Sequence, residues 1–301
     1  MDYVLPYVDC DDPVWIEQYK SVMQTRNCIK NMDRSRFRPF GTLKYVFRSV
    51  AKNMPFIDRI VLIVSTKSQV PEWVNRDTVR IVPHDEFMPG THRPCFNSSV
   101  IEGDMWRIDG LSECFVYGND DFFALKPLEL NDFFDGDKPR LKFSESDYHV
   151  RNIFHECCRN GMDMIADALD IQRTDPYTLL KPQHCMKGIR ADHMKEVGRL
   201  CGHQIDRLAT VMRHRRNVTG YIYHYYALYT SEYSDFVKDF QYAELTDEYD
   251  EVTKIIKKQQ ASMLCINDSG ELSLGNYESA CLTLTDSFER VFPEVSRYEL
   301  S

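Results

Sequence analysis

The feature that most constrains this chain is a short apolar run, residues 115–117, which stops at a glycine and is followed at once by Asn119, Asp120 and Asp121. In an open α/β sheet, ligands bind in the crevice beyond the carboxyl ends of the strands. Neighbouring buried carboxylates repel each other unless a cation or a proton lies between them, and clusters of oxygen ligands suit Mg²⁺ or Mn²⁺. The alternative is an ordinary turn, in which the Asn and Asp side chains hydrogen-bond to their own backbone.

Two other strand-like runs also end in acidic or amide side chains. Residues 2–8 lead to Asp9, and residues 263–266 lead to Asn267 and Asp268. A single acid after a strand is commonly a helix N-cap. Because the carboxyl ends of parallel strands share one edge of a sheet, three such endings favour a cation site to which these side chains and the first carboxylate pair contribute.

Strand-like runs alternate with helical patterns over about the first 140 residues. The clearest strand is residues 58–65, and residues 78–82 form a shorter one. Pro13 is placed to open a helix, and apolar residues at helical spacing predict another over residues 40–53. This alternation predicts an α/β fold with a mostly parallel, Rossmann-like sheet and right-handed crossovers. Neither GxGxxG nor GxxxxGK[ST] is present, so the sheet has no glycine-rich phosphate loop.

These patterns divide the chain into three segments. Residues 1–143 form the Rossmann-like core. Residues 144–262, in which histidines and basic residues become frequent, are predicted to be mainly helical and to lie over the catalytic edge of the sheet; residues 234–260 within them are predicted to be helical. Residues 263–301 add a short strand and a helix over residues 277–291, which complete the core.

Charge and composition exclude several classes of protein. The formal net charge of −9 argues against a general nucleic-acid binder. No stretch approaches the roughly 20 apolar residues of a membrane-spanning helix, and the first residues lack the pattern of a signal peptide. Ten cysteines occur without a CxxC pair, which favours reduced thiols in a cytoplasmic protein over disulfides or zinc.

Residues 94–102 hold polar side chains that admit two interpretations. Asn97 and Ser98 are suited to cap a helix, with Glu102 exposed in its first turn. In the functional interpretation, Asn97 binds a sugar or nucleobase and Glu102 meets a metal or a sugar hydroxyl. The sequence does not choose between the two.

Histidine, arginine and aromatic side chains supply further candidates. His184 follows a proline turn, and the pKa of histidine suits it to take a proton from an alcohol, although most histidines do not. Arg213 opens a basic run, residues 213–216, which is either a solvated face or a clamp for a pyrophosphate. Residues 221–229 are dense in aromatic side chains, which either pack in the core or stack on a sugar or base.

Taken together, these motifs resemble the Stealth family of hexose-1-phosphotransferases, which act in microbial capsule synthesis and in lysosomal enzyme tagging. Four family regions match in order: residues 7–15 (YVDCDDPVW); residues 36–50, 69–74, 96–102 and 117–123; residues 181–197 with 223–229; and residues 265–270 with 288–299. Tyr7 and Cys10 stand where the family usually has Trp and Gly, and the third region is only loosely alike.

The resemblance implies a nucleotide-sugar-binding core and a reaction. A sugar-1-phosphate, GlcNAc-1-phosphate or another hexose-1-phosphate, passes from a UDP-sugar to a hydroxyl of a glycan or lipid-linked glycan. A phosphodiester forms and UMP leaves. The implied location is cytoplasmic, without a membrane span; peripheral attachment at the inner face of the membrane stays open, and the oligomeric state is not readable.

The resemblance also implies roles for the candidate residues. A Mg²⁺ or Mn²⁺ ion is expected on the pyrophosphate, held by Asp120, Asp121, Asn267 and Asp268. The nucleotide is expected near Asp9, Asn97, Ser98 and Asn119. Glu102 is expected near the donor sugar or the metal, His184 as the general base, and Arg190 and Arg213 against the phosphate charge. The alternatives are a metal-dependent glycosyltransferase that releases UDP, and a carbohydrate-binding module without catalysis.

Overall fold

The computed structural model describes residues 1–25, 37–147, 152–173, 178–268 and 270–300. Its strands are β1 (Asp2–Pro6), β2 (Arg59–Val64), β3 (Val79–Pro83), β4 (Cys114–Tyr117), β5 (Phe122–Ala124), β6 (Phe134–Asp135), β7 (Lys138–Leu141), β8 (Phe143–Asp147), β9 (Thr178–Pro182), β10 (Lys187–Arg190), β11 (Ser234–Asp235), β12 (Phe240–Glu244) and β13 (Met263–Asn267). Its helices are α1 (Pro13–Thr25), α2 (Leu43–Asn53), α3 (His84–Phe87), α4 (Ser98–Asp104), α5 (Ile153–Ala168), α6 (Ala191–Leu208), α7 (Ile222–Tyr229), α8 (Asp250–Lys258) and α9 (Leu274–Val291).

The main sheet has five strands in the order β10-β4-β1-β2-β3. Strands β4, β1, β2 and β3 are parallel, and β10 is antiparallel to β4 at one edge. The predicted α/β class with a mostly parallel sheet is therefore confirmed. The order also places β4 and β1 side by side, so the polar residues that follow them leave the same edge of the sheet.

The sheet separates two apolar cores, because successive side chains of a strand point to opposite faces. Tyr3 and Leu5 of β1 belong to the first core, which α2 and α9 cover. Val4 belongs to the second core, which α5, α6 and α7 cover. Strands buried on both faces have continuous apolar sequences, as β2 does.

Strand β13 differs from its predicted place. It lies in a separate three-stranded sheet, β12-β13-β5, and runs antiparallel to β5 with Cys265 opposite Phe122. The prediction that three parallel strands end at one shared edge is wrong for this strand. It still reaches the carboxylate turn, because β5 follows that turn directly and the Ile266 amide donates a hydrogen bond to the Asp121 carbonyl at 3.0 Å.

The predicted helix over residues 234–260 is also wrong in part. That stretch holds two strands, β11 and β12, before α8 begins at Asp250. Strand β12 exists because all five of its residues pair with β13, a contact that local periodicity does not show. The boundaries at residues 143 and 262 stay predictions. Within the described residues, none of the helices has the length and apolar character needed to cross a membrane.

Candidate active site at the end of β4

The turn after β4 lies against β1. The Gly118 amide donates a hydrogen bond to the Val4 carbonyl at 3.0 Å. A Cβ at this glycine would lie 1.9 Å from the Tyr3 hydroxyl oxygen, so no larger residue fits without a shift. This close approach brings Asn119, Asp120 and Asp121 to the carboxyl end of β1, which is the ligand edge of such a sheet.

The carboxylates of Asp120 and Asp121 are both disfavoured in their charged forms. Burial raises the pKa of Asp120, and burial together with the Asp120 charge raises that of Asp121. The Asp121 Oδ1 and Asn119 Oδ1 atoms are buried and find no hydrogen-bond partner among the described residues. Unpartnered oxygens beside repelling carboxylates suit a divalent cation, so this donor set fits Mg²⁺ or Mn²⁺.

His184 faces the carboxylate turn from the loop between β9 and β10. Its Nδ1 atom lies 2.9 Å from the Tyr221 hydroxyl, and its ring packs edge-on against Phe122. Burial, with the nearby charges of Lys187 and Arg213, lowers its pKa to about 3. The ring is therefore neutral at neutral pH and able to accept a proton, although only weakly basic.

Strand β10 shows that Arg190 is not part of this edge. Its antiparallel register puts Lys187 opposite Tyr117, next to the turn, and Arg190 opposite Cys114, at the far end of β4. The Arg190 guanidinium instead forms ion pairs with surface carboxylates, those of Asp137, Asp192 and Glu232. The position of Arg190 does not support its predicted role at the phosphates, which stays a prediction.

Lys187 is a candidate that the sequence analysis missed. It is 2% exposed, and its Nζ lies 4.2 Å from the Tyr221 ring centroid and 3.2 Å from the Gln183 carbonyl. Burial lowers its pKa to about 8. The sequence does contain a signal for this residue, since residues 185–189 form an apolar strand pattern with a single lysine inside it. Lysine is almost never fully buried without a partner, so a lysine at a buried strand position indicates a functional role.

Glu102 points inward, contrary to its predicted exposure in the first turn of α4. Its Oε2 accepts a hydrogen bond from the Gly220 amide at 3.2 Å, and burial raises its pKa. The charges of Lys187 and Arg213 act on the same carboxyl in the opposite direction. Arg213 in turn donates from Nη2 to the Ser98 hydroxyl at 2.7 Å. The structure thus brings Glu102, Arg213 and Ser98 to one side of the site.

Asn97 caps α4, in agreement with its capping interpretation. Its Oδ1 accepts from the Ser99 amide at the start of α4. Its Nδ2 donates to the Thr210 and Met212 carbonyls and to Asn217 Oδ1 at 2.9 to 3.2 Å. The side chain is fully buried, which favours the capping interpretation; the predicted contact of Asn97 with a sugar or nucleobase stays a prediction.

Asp9 lies on the ligand edge, whereas Asp268 is engaged elsewhere. Burial, followed by the charges of Asp9 and Asp120, raises the pKa of Tyr7, so both carboxylates act on this one side chain. Both Asp268 oxygens accept from the Arg38 guanidinium, at 2.5 and 3.0 Å. Asn267 is held through its backbone by β12. The Arg38 ion pair thus engages the Asp268 carboxylate, whereas the backbone pairing of Asn267 leaves the role of its side chain a prediction.

Comparison with known proteins identifies the region that carries this site. Residues 36–141 match the family model described as Stealth protein CR2, conserved region 2. Arg36 lies outside the described residues, and the rest of the match includes Glu102 and the carboxylate turn.

Three curated relatives are phosphotransferases by name. Capsular polysaccharide phosphotransferase eps5J of Streptococcus thermophilus is 39% identical over 47% of this chain and 60% of its own length. Exopolysaccharide phosphotransferase cps2G of Lactiplantibacillus plantarum is 26% identical over 99% of this chain and 96% of its own. Capsular polysaccharide phosphotransferase SacB of Neisseria meningitidis serogroup A is 28% identical over 99% and 57%. The chain thus spans about 60% of the first relative's length.

Solved structures give only a distant likeness. The galactosyltransferase LgtC, in complex with donor and acceptor sugar analogs, aligns with 94% of this chain and 96% of its own at a TM-score of 0.43 and 8% identity. The inositol-1-phosphate CTP transferase from T. maritima aligns with 96% of each chain at a TM-score of 0.40 and 13% identity. Likeness at this level supports no inference about substrate or reaction.

Proposed function

We propose that this chain, whose resemblance to the Stealth family is confirmed by its conserved region 2, is a sugar-1-phosphate transferase of capsule or exopolysaccharide synthesis. A hexose-1-phosphate, such as GlcNAc-1-phosphate, passes from a UDP-sugar to a hydroxyl of an acceptor glycan. The acceptor oxygen bonds to the sugar-bearing phosphorus, the bond to the bridging oxygen breaks, and UMP leaves. The observation that carries the proposal is the carboxylate pair Asp120–Asp121, with its unpartnered oxygens, inside the matched region.

Asp120, Asp121 and Asn119 would hold the Mg²⁺ or Mn²⁺ ion of this reaction. The orphaned oxygens and the raised pKa values support this assignment. When bound, the ion would neutralise charge on the phosphate oxygens. Asp9, on the same edge, would lie near the nucleotide.

His184 would accept the proton of the acceptor hydroxyl. Its hydrogen bond with Tyr221 fixes the ring, and its neutral form is the one that can take a proton. Lys187 and Arg213 supply positive charge that acts on this ring. Lys187 would thus take the role against the phosphate charge that the sequence predicts for Arg190. An arriving phosphate would balance these charges and so raise the basicity of the imidazole.

The identity of the released nucleotide tests this proposal. The purified chain is incubated with UDP-GlcNAc, a glycan acceptor and Mg²⁺ or Mn²⁺, and the nucleotides are separated by chromatography. Release of UMP with a new phosphodiester supports the proposal, since the anomeric C–O bond survives. Release of UDP identifies a glycosyltransferase instead and overturns it.

The cation assignment is tested with Asp121→Asn. We expect turnover to fall by about two orders of magnitude or more at saturating metal, because the variant loses a charged ligand at the site of charge neutralisation. Asp286→Asn, an exposed carboxylate of α9, is the matched control and is expected to keep full activity. Near-native turnover of Asp121→Asn would show that this carboxylate does not hold the ion.

A further inference from the structure

A second set of donors meets at Asp121 from a different direction. One carboxylate oxygen of Asp121, one ring nitrogen of His184 and the thiol sulfur of Cys265 all lie within 4.8 Å of one another. The Cys265 Sγ lies 3.7 Å from Asp121 Oδ2 and donates to it. This sulfur comes from β13, the strand that the sequence did not place beside the carboxylate turn.

The donor set is chemically unlike that of the cation discussed above. Mg²⁺ and Mn²⁺ prefer oxygen, whereas a carboxylate, an imidazole and a thiolate together match Zn²⁺. Three protein ligands with a fourth position open are the usual arrangement of a zinc ion that keeps a water or another ligand. The three atoms need to move by only a small distance to surround one ion.

The surroundings of the three donors support binding of a metal. The Asp121 Oδ1 atom is buried and has no hydrogen-bond partner among the described residues. The Tyr221 hydroxyl contacts the Nδ1 atom of His184 and so fixes the ring, as outer-shell groups do for metal-bound histidines. Asp121 and His184 are partly exposed, which leaves a path from solvent, while Cys265 is buried.

The other histidine–carboxylate group of the described residues lacks these properties. His92, Asp104 and Asp206 also lie close together. However, the Arg107 guanidinium already forms ion pairs with both carboxylates. The positive charge of this side chain therefore takes the role that a metal ion would have there.

We propose that Asp121, His184 and Cys265 form a binding site for Zn²⁺. It shares Asp121 with the oxygen site of Asp120, Asp121 and Asn119 and differs from that site in its nitrogen and sulfur donors. Binding displaces the thiol proton to solvent and forms a zinc–thiolate bond. Since Asp121 and His184 are also assigned to catalysis, bound Zn²⁺ would withdraw both and inhibit transfer. This consequence rests on the proposed function, whereas the binding itself does not.

Cobalt substitution tests the binding without any assay of activity. The reduced full chain is titrated with Co²⁺, which reports thiolate ligation through a near-ultraviolet charge-transfer band. We expect a band that saturates at one equivalent and disappears when Zn²⁺ is added. Cys265→Ser should lose the band and bind Zn²⁺ roughly 100-fold more weakly. Cys201 is a buried thiol of α6 outside the cluster, so Cys201→Ser should keep both the cobalt band and the affinity for Zn²⁺.

Two results would overturn the proposal. One is the absence of a charge-transfer band in the folded wild-type chain, and the other is a band that persists in Cys265→Ser. If Cys265→Ser fails to fold, zinc-edge X-ray absorption of the wild-type chain decides: one sulfur at about 2.3 Å is expected, and a shell of nitrogen and oxygen alone contradicts it.

A separate assay measures the consequence for transfer. Micromolar Zn²⁺ is expected to inhibit UMP release by the wild-type chain, with inhibition relieved by a chelator that spares Mg²⁺. A chain that gives the cobalt band but no transfer activity would leave the zinc site standing and remove the proposed function. A chain that transfers sugar-1-phosphate without showing the cobalt band would support the proposed function and overturn the zinc site.

Discussion

At the scale of single residues, Lys187 is an ionisable side chain whose charged form is disfavoured by burial. It is almost fully buried, and its Nζ has one backbone carbonyl and one aromatic face as its neighbours. Burying an ammonium group is unfavourable unless it is paired. Strongly shifted pKa values cluster at functional sites, so this buried lysine, whose charge acts on Glu102 and His184, is a candidate functional residue.

Replacing Lys187 with methionine should therefore stabilise the protein and impair transfer. The native pKa of about 8 lies below the unfolded value of 10.5, so the native state disfavours the charged form. This penalty is complete below about pH 8 and is relieved as the pH rises towards 10.5. At neutral pH we expect Lys187→Met to gain about 1–3 kcal/mol in urea unfolding and to lose turnover.

Lys254→Met on the exposed face of α8 is the control, because its ammonium group stays in water and forms an exposed ion pair with Glu251. It should change neither stability nor turnover. A loss of stability in Lys187→Met would mean that the contacts of this lysine outweigh its desolvation.

Sequence reasoning places a residue in the fold most readily where the surroundings of that residue are local. The turn of Asp120 and Asp121 follows its own strand, so chain order alone locates it. Cys265 and Lys187 were missed because an apolar pattern indicates burial but not which side chain lies opposite. The structural role of Asn97 depends on residues more than 110 positions away, such as Thr210 and Asn217, which local sequence does not connect to it.

At the scale of elements, a buried charge cluster joins three segments beneath the second core. His92 ends a short turn of 3-10 helix, Asp104 ends α4, and Asp206 lies in α6. The His92 Nδ1 lies 2.6 Å from Asp104 Oδ2, and Arg107 bonds to both carboxylates. His92 and Arg107 thus connect Asp104 at the end of α4, the helix that carries Glu102, to Asp206 of α6.

This cluster should make stability depend on pH. The hydrogen bond with Asp104 raises the pKa of His92 above its ordinary value of 6.5, so the protonated ring stabilises the native state. That contribution is complete below 6.5 and is lost as the pH rises through the higher native value. In thermal melts, the advantage of the wild-type chain over His92→Gln should therefore shrink as the pH rises from about 6 towards 9.

His203→Gln is the matched control, because this histidine of α6 is exposed. Its melting temperature should follow the wild-type curve across the same range. A constant difference between wild type and His92→Gln at every pH would show that His92 is neutral in the native state and acts only by packing.

At the scale of the whole molecule, the last helix closes the first core. Phe288 of α9 stacks on Phe123 of β5 and on Tyr45 of α2, with ring centroids 4.2 and 5.5 Å away. The periodicity of α9 predicted its existence, but its partners come from two segments far apart in sequence. Nothing in the local pattern indicates that it packs behind the strand that follows the carboxylate turn.

Arg48 of α2 forms a buried ion pair with Glu299 in the segment that follows α9, and a second ion pair with the half-exposed Glu289 of α9. Its Nε donates to Glu299 at 3.0 Å, and its Nη1 donates to Glu289 and to the Phe292 carbonyl. The Arg48 and Glu299 side chains are 8% and 6% exposed, so neither charge is solvated when the other is removed. Breaking such a pair on one side leaves an uncompensated buried charge.

Arg48→Met is therefore expected to lower the free energy of unfolding by about 3–5 kcal/mol, as measured in urea. Adding Glu299→Gln should recover part of this loss, since the stranded carboxylate is then neutral. Arg290→Ala removes an exposed pair with Asp286 in α9 and should cost about 0.5 kcal/mol or less. Equal losses in Arg48→Met and Arg290→Ala would mean that burial of the pair does not decide how strongly the last helix holds the sheet and, through β5, the carboxylate turn.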